Sequence, residues 1–491
     1  MAGRRRWGLR VGVALGGLLA VLFVRAAAML PEPYDPGPAP SIPEVDVHEA
    51  AAELAQVLAI PTISPDGSAD RRQAMLALHG HLRGAFPRVH QALSREVVDE
   101  LSLLYRWPGS DPTAEPVLLL AHLDVVPVEP GTEGDWTHPP FAGVIEDGSV
   151  WGRGALDDKT SVTAIMIAIE RLLQQGFTPR RTVVLAFGHD EELGGRQGAA
   201  ALAALLQQRG ERFAYLLDEG GLIVDGALPG LDRPAAMVGI AEKGHASLVL
   251  SLEAEGGHSS MPARTGAIGR LATALVRLQD EPMDARIDGP TATMLEHLGP
   301  HMSFGMRLGL ANRWLLDPFI VSLMASEPPS DATIRTTLVP TMIDAGIAPN
   351  VLPQKAELVL NSRILPGDTV QDVIEHVREV IDDPEVEIRC LADDQCWEPS
   401  AVADIEGEGF DVVRRAIVHT FPEAVVIPNL MVGATDARHY HAVARDALRF
   451  LPIRLRKEER LRQHGTDEQI TEDGFADALR FYLTMLTLAA S

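Results

Sequence analysis

Apolar and polar positions divide the chain into three textures. An uninterrupted apolar run from Val11 to Val24 follows Arg4, Arg5, Arg6 and Arg10, and Arg25 and Ala26-Ala27-Ala28 follow the run. Counted from Trp7 to Leu30, with Arg10 and Arg25 snorkelling, this segment reaches the roughly 20 residues of a membrane span. The basic side predicts a cytoplasmic N-terminus with the remainder outside. We therefore read residues 1–30 as a single-pass anchor; a cleaved export signal is the alternative. Residues 31–44 include PEPYDPGPAPSIP and read as a stiff linker.

Beyond Val45 short apolar runs alternate with helical periodicity. Arg71 to Phe86 and Lys159 to Gln175 carry helical spacing. PVLLLA (116–121), TVVLAF (182–187) and FAYLL (213–217) are short apolar runs that predict buried strands. The alternation predicts an α/β fold, a mostly parallel sheet covered by helices. From Gly244 the texture changes. His245 to Ala254, Ala356 to Ile364 and Glu385 to Leu391 read as strands, and Ala267 to Gln279 and Val370 to Ile381 as helices. This order predicts an inserted α+β, ferredoxin-like lid or dimerisation domain over 244–398, itself interrupted by a long insertion at about 281–336. The catalytic domain comprises 45–243 and resumes over 399–491, ending in a helix from Gly474 to Ala490. Within the insertion, Trp314, Leu315, Leu316 and Phe319 are first of all packing residues, with a pocket for an apolar acyl group as the sharper reading.

Composition narrows the function. The net charge of −25 among 491 residues excludes nucleic acid as the partner, since nothing would neutralise a phosphate backbone. The two cysteines, Cys390 and Cys396, are too few for a cysteine-ligated zinc site, so any metal sits on His, Asp and Glu. Three predicted strands end in such residues: His122-Leu123-Asp124, His189 to Gly195 (HDEELGG) and Asp218-Glu219-Gly220-Gly221. In open α/β sheets, ligands bind beyond the carboxyl ends of the strands, so these segments converge. Taken singly each has a bland reading, as a structural histidine or a solvated acidic loop. Together they form an oxygen-rich donor set with imidazole that suits zinc, with cobalt or manganese as alternatives.

These segments resemble the dizinc metallopeptidase family that includes aminoacylase, glutamate carboxypeptidase and succinyl-diaminopimelate desuccinylase. The similarity runs from AHLDVVPV through WGRGALDDK, HDEELGG, LLDEGG, EKGHASL and GGHSSMP to NSRILPGD, GATDARHY and RQHGTDEQI. NRWLLDPF and ATIRTTLVPTMIDAG are similar to the branch of vacuolar carboxypeptidase S and N-acyl-amino-acid hydrolase/synthase.

The resemblance implies two zinc ions bridged by Asp157, with a cis peptide bond to Asp158. His122 and Glu219 complete one metal site, Glu192 and His464 the other. Glu191 is then the general base and Asp124 orients His122. His258 stabilises the oxyanion, in dimeric relatives from across a homodimer, and Asn350 makes a second polar contact. Arg438 and, less directly, Arg363 clamp a substrate carboxylate, for which a guanidinium fork is suited. The implied reaction is hydrolysis, by a metal-bridged hydroxide, of an amide bond next to a free carboxylate in a small peptide or N-acyl amino acid. Two alternatives stay open: a catalytically inactive, metal-stabilised binding ectodomain, and an aminopeptidase on the same metal site. His138, His189, His301, His439 and His441 read as structural.

Overall fold

In the computed structural model, which describes residues 2–64, 69–226, 229–261, 264–392 and 394–490, the apolar runs become the centre of a ten-stranded sheet. Val183–Gly188, Val117–His122, Phe213–Asp218 and Ala444–Arg449 lie side by side and parallel. The first three have every side chain buried, which is why their sequences are continuously apolar rather than alternating. Antiparallel strands, among them Ser94–Val98 and Ser102–Trp107, complete one edge. The helix Lys159–Gln174 is buried along most of its length, because it packs against both Val47–Leu58 and Glu472–Ala489. Glu472–Ala489 begins at Thr471, whose hydroxyl accepts from Gly474 N, and carries Glu472 and Asp473 in its first turn, where the helix dipole favours them.

Strands between Gly244 and Trp397 form a second, antiparallel sheet. Its order places Thr337–Ala345, Lys355–Ile364, Gly244–Glu253 and Glu387–Cys390 in succession. Numbered along the chain this is 2-3-1-4, the arrangement expected of a ferredoxin-like unit. The helices Ala267–Asp280 and Val370–Ile381 pack on it around a core of its own. Val370–Ile381 shows why: Val373, Val377 and Ile381 recur every fourth residue and are buried, and Thr369 and Asp372 close a capping box. Cys390 and Cys396 are joined in a disulfide. The long insertion is helical, over Gly289–Leu298, Phe304–Leu310, Arg313–Met324 and Pro328–Asp331.

Two expectations change. The N-terminal segment is one helix, Ala2–Ala28, but among the described residues no helix is long and apolar enough to cross a membrane. The anchor is thus not supported. The end of this helix is instead a packing surface for the insertion: Arg25 Nε donates to Ala311 O at 2.8 Å, Asn312 Nδ2 to Leu22 O at 3.0 Å, and Phe23 lies 5.9 Å from Phe304. The side chains of Arg4, Arg5, Arg6 and Arg10 lie outside the described residues. The Pro-rich stretch makes contacts of its own. Tyr34 hydroxyl donates to Asp411, Arg414 stacks on the Tyr34 ring, and Arg415 Nε donates to Pro36 O, so the stretch lies along the helix Glu408–Thr420. Finally, Trp314, Leu315 and Phe319 are exposed rather than packed.

Candidate metal centre

The site forms where the parallel strands end. Val117–His122 delivers His122 at its last residue, Phe213–Asp218 delivers Glu219 one residue beyond, and Val183–Gly188 leads into Glu191 and Glu192. Asp157 comes from the turn before the helix Lys159–Gln174, where the Asp157–Asp158 peptide is cis. His464 comes from a distant loop and has a positive φ of 60°, which is uncommon for a residue with a side chain.

Two groups of potential ligand atoms result. His122, Asp157 and Glu219 form one, and Asp157, Glu192 and His464 the other; within each, one donor atom per residue lies within 4.8 Å of the others. Asp157 faces both ways. Its Oδ1 lies 2.8 Å from His122 Nε2 and its Oδ2 3.0 Å from His464 Nε2. The Nδ1–H of His122 donates to the backbone carbonyl of Asp124 at 3.0 Å, and because a carbonyl only accepts, the Nε2 lone pair is left facing the cluster. Glu192 Oε1 is buried without a hydrogen-bond partner, yet stands 3.3 Å from His464 Nε2. A buried carboxylate oxygen beside an imidazole nitrogen suits a shared cation, and the group of Asp157, Glu192 and His464 could hold one.

Electrostatics points the same way. Burial pushes Asp158 up to about 8 and holds Glu219 well above the usual carboxylate range, with Asp157 and, for Glu219, Glu191 adding repulsion. Glu191 is likewise raised by loss of water and by Asp436, Asp157 and Glu192, against the lowering influence of His122. Asp157 is held low despite its burial by hydrogen bonds to His122 and His464. Crowded carboxylates outnumber the two imidazoles. Divalent cations relieve that repulsion, and the cluster can hold them.

Three supporting contacts had no clear signal in the sequence. The Asp124 carboxylate orients the loop of Glu191 and Glu192 more directly than it orients His122. Its Oδ1 is 3.4 Å from His122 Nδ1, but it accepts from Glu191 N at 3.1 Å, Glu192 N at 3.2 Å and Ser64 Oγ at 2.8 Å. Glu468 is fully buried and accepts from Gly154 N, Leu156 N and Arg153, while Arg153 Nη2 donates to His464 O. One carboxylate thus ties the loop of Asp157 to the loop of His464, a link the RQHGTDEQI spelling does not announce. Gln463 Nε2 also donates to Asp157 Oδ2 at 2.8 Å.

The remaining sequence-predicted residues divide. Arg438 sits on the rim, its Nη2 donating to Gly194 O just past Glu191 and Glu192. Arg363 lies on the second sheet, in register with His245, where loss of water and the field of Arg438 push its pKa down. Neither arginine has an ion-pair partner among the described residues, so both leave cationic charge available for an anion. His258 and Asn350 are not brought to the cluster. They are exposed where two short strands, Gly257–His258 and Val351–Leu352, pair antiparallel, with Ser259 N donating to Asn350 O and His258 Nδ1 2.8 Å from Ser260 Oγ. Pro262 of GGHSSMP lies outside the described residues. The bland histidines make structural contacts: His138 with Glu146, His189 with Ser102, His441 with Arg438 O, and His439 with Arg438 Nε.

Residues 118–488 match peptidase family M20/M25/M40. Among relatives, a probable carboxypeptidase S-like 2 of Dictyostelium discoideum is 38% identical over 443 residues, covering 89% of this chain and 84% of that protein. The N-fatty-acyl-amino acid synthase/hydrolase PM20D1 of Mus musculus is 37% identical over 434 residues, covering 87% of this chain and 85% of that protein. The fold is similar to that of an M20 family metallo-carboxypeptidase, Sso-CP2 from Sulfolobus solfataricus. The TM-score is 0.65 at 18% identity, across 91% of this chain and 100% of that one.

Proposed function

This chain belongs to peptidase family M20/M25/M40, and we propose that it uses two zinc ions to hydrolyse an amide bond next to a free carboxylate, in N-acyl amino acids or small peptides. The observation that carries this reading is the sharing of Asp157 by two groups of ligand atoms, with Glu191 beside them and, on the rim, Arg438 without an ion-pair partner among the described residues.

His122, Asp157 and Glu219 would hold one ion, and Asp157, Glu192 and His464 the other. Bound there, the ions supply Lewis acidity and a water acidified to around neutrality. The protein's own part is positional and proton-handling. Asp124 fixes the backbone of Glu191 and Glu192, so the Glu191 carboxyl can take the water proton and pass it to the leaving amine. Arg438 captures the carboxylate, and Arg363 approaches it from the second sheet. An inactive binding ectodomain is not favoured, because Glu191 is retained. An aminopeptidase is not favoured, because it must capture an ammonium group and the rim offers a guanidinium instead.

Arg438→Ala should raise KM about 10- to 100-fold for an N-acyl amino acid, as expected for loss of a charge-assisted pair, and leave the carboxamide analogue unaffected. Steady-state kinetics on the acid and its carboxamide decide this; equal losses on both would remove the carboxylate from the reading.

We assign 244–398 to a lid inserted in the catalytic part, formed by 45–243 and 399–491; the separate sheets and cores support this division. His258 and Asn350 fit the oxyanion role when a second copy of the chain brings them in, which is the homodimer of our reading. Mixing inactive Glu191→Gln and His258→Ala chains should then restore part of the turnover. No recovery from chains shown to exchange subunits would rule that arrangement out. The Cys390–Cys396 disulfide supports a catalytic body working outside the cytoplasm, as an exported protein.

A further inference from the structure

The Arg438 guanidinium is held by groups from both sheets. Nη2 donates to Gly194 O and Nε to His439 Nε2, and both partners belong to the rim of the large sheet. The third support comes from the other sheet: Arg438 Cζ stands 4.6 Å from the centre of the Trp397 ring. Trp397 is itself fixed. Its strand, Cys396–Trp397, pairs with Gly244–Glu253, placing Trp397 opposite His245, and the two rings stack at 4.4 Å with 23° between planes. The residue before it is locked by the disulfide to Cys390. The bridged loop also reaches the rim through an ion pair between Asp394 and Arg196, two residues past Gly194. The indole is therefore held in place, and it sits at the seam between the two sheets.

The chemistry of this support matters. A carboxylate partner would orient a guanidinium but neutralise it. An aromatic face holds it flat by its quadrupole and leaves both its charge and its remaining N–H donors for another anion. Burial together with Arg363 and Arg438 lowers the His245 pKa to about 4, so the ring stacked on Trp397 is neutral and adds no competing cation at neutral pH.

We propose that Trp397 is a positioning residue for Arg438, through which the inserted sheet sets the enzyme's grip on the free carboxylate of its substrate. This rests on the carboxylate role of Arg438 given above. Trp397→Ala should raise KM for an N-acyl amino acid about ten-fold, the scale of one half-buried cation–π contact, with kcat changed less than about two-fold. KM for the carboxamide should not move, and Trp397→Phe should recover most of the loss. On an Arg438→Ala background, Trp397→Ala should add nothing. Equal losses on acid and carboxamide, or losses that add to those of Arg438→Ala, would overturn the positioning role alone, because Arg438→Ala would still discriminate the two substrates. If Arg438→Ala itself fails to discriminate them, the positioning role falls together with the carboxylate reading.

Discussion

Glu191→Gln is expected to lower kcat by about 10²- to 10⁴-fold, the usual contribution of a positioned general acid–base, while metal content stays unchanged. The amide is isosteric, so the hydrogen bonds from Glu191 N and Glu192 N to Asp124 persist and Glu192 remains where it is. What disappears is a group able to accept a proton and give it back. Glu191 is suited to that exchange, because withdrawal from water and the neighbouring Asp436, Asp157 and Glu192 raise its proton affinity above that of an ordinary carboxylate. Turnover measured alongside metal analysis separates the outcomes. Activity within ten-fold of the parent would remove Glu191 as the base, and a loss of metal would make it a ligand instead.

The second large effect is expected at Asp157. Its two oxygens face different imidazoles, at 2.8 Å and 3.0 Å, so the residue belongs to both groups of ligand atoms. Asp157→Asn replaces one of those oxygens by an NH₂ that cannot act as a ligand and removes the negative charge that balances two cations. Metal content should fall from two ions per chain to one or none, and turnover should be abolished. Stabilisation by added zinc should fall as well. A site filled at 100 times its Kd contributes about 2.7 kcal/mol, which the parent should show as a rise in Tm and the variant should largely lack. Two ions retained by Asp157→Asn, measured by elemental analysis after gel filtration, would contradict the bridging role.

The parts of this site differ in how readable they were. His122, Glu191, Glu192 and Glu219 follow buried apolar runs, and a continuous apolar run ended by polar residues is a local signal of a strand reaching a rim. Asp157 and His464 carry no such signal and became interpretable only through a resemblance. Asp124 was identified, but its main partners are backbone amides of residues nearly seventy positions away. Glu468 escaped notice because a carboxylate in a polar segment reads as solvated, whereas here it is fully buried by the loops it joins. The N-terminal helix was read from hydropathy alone. Hydropathy reports that a segment avoids water and does not say whether lipid or protein covers it, and here the insertion covers part of it.

Local spelling by itself determined the strands, the helices and the donor types, because periodicity and residue chemistry are properties of short stretches. Composition also argued against a cysteine-ligated metal site and against a nucleic-acid partner, from two cysteines and a net charge of −25. The tertiary structure gathers around Asp157 the donors that the resemblance implied, and it alone decided that His258 and Asn350 stand away from them and that Trp397 meets Arg438 across two sheets. Those are relations between residues from 35 to 307 positions apart, and chain distance carries no information about them until the sheets have packed.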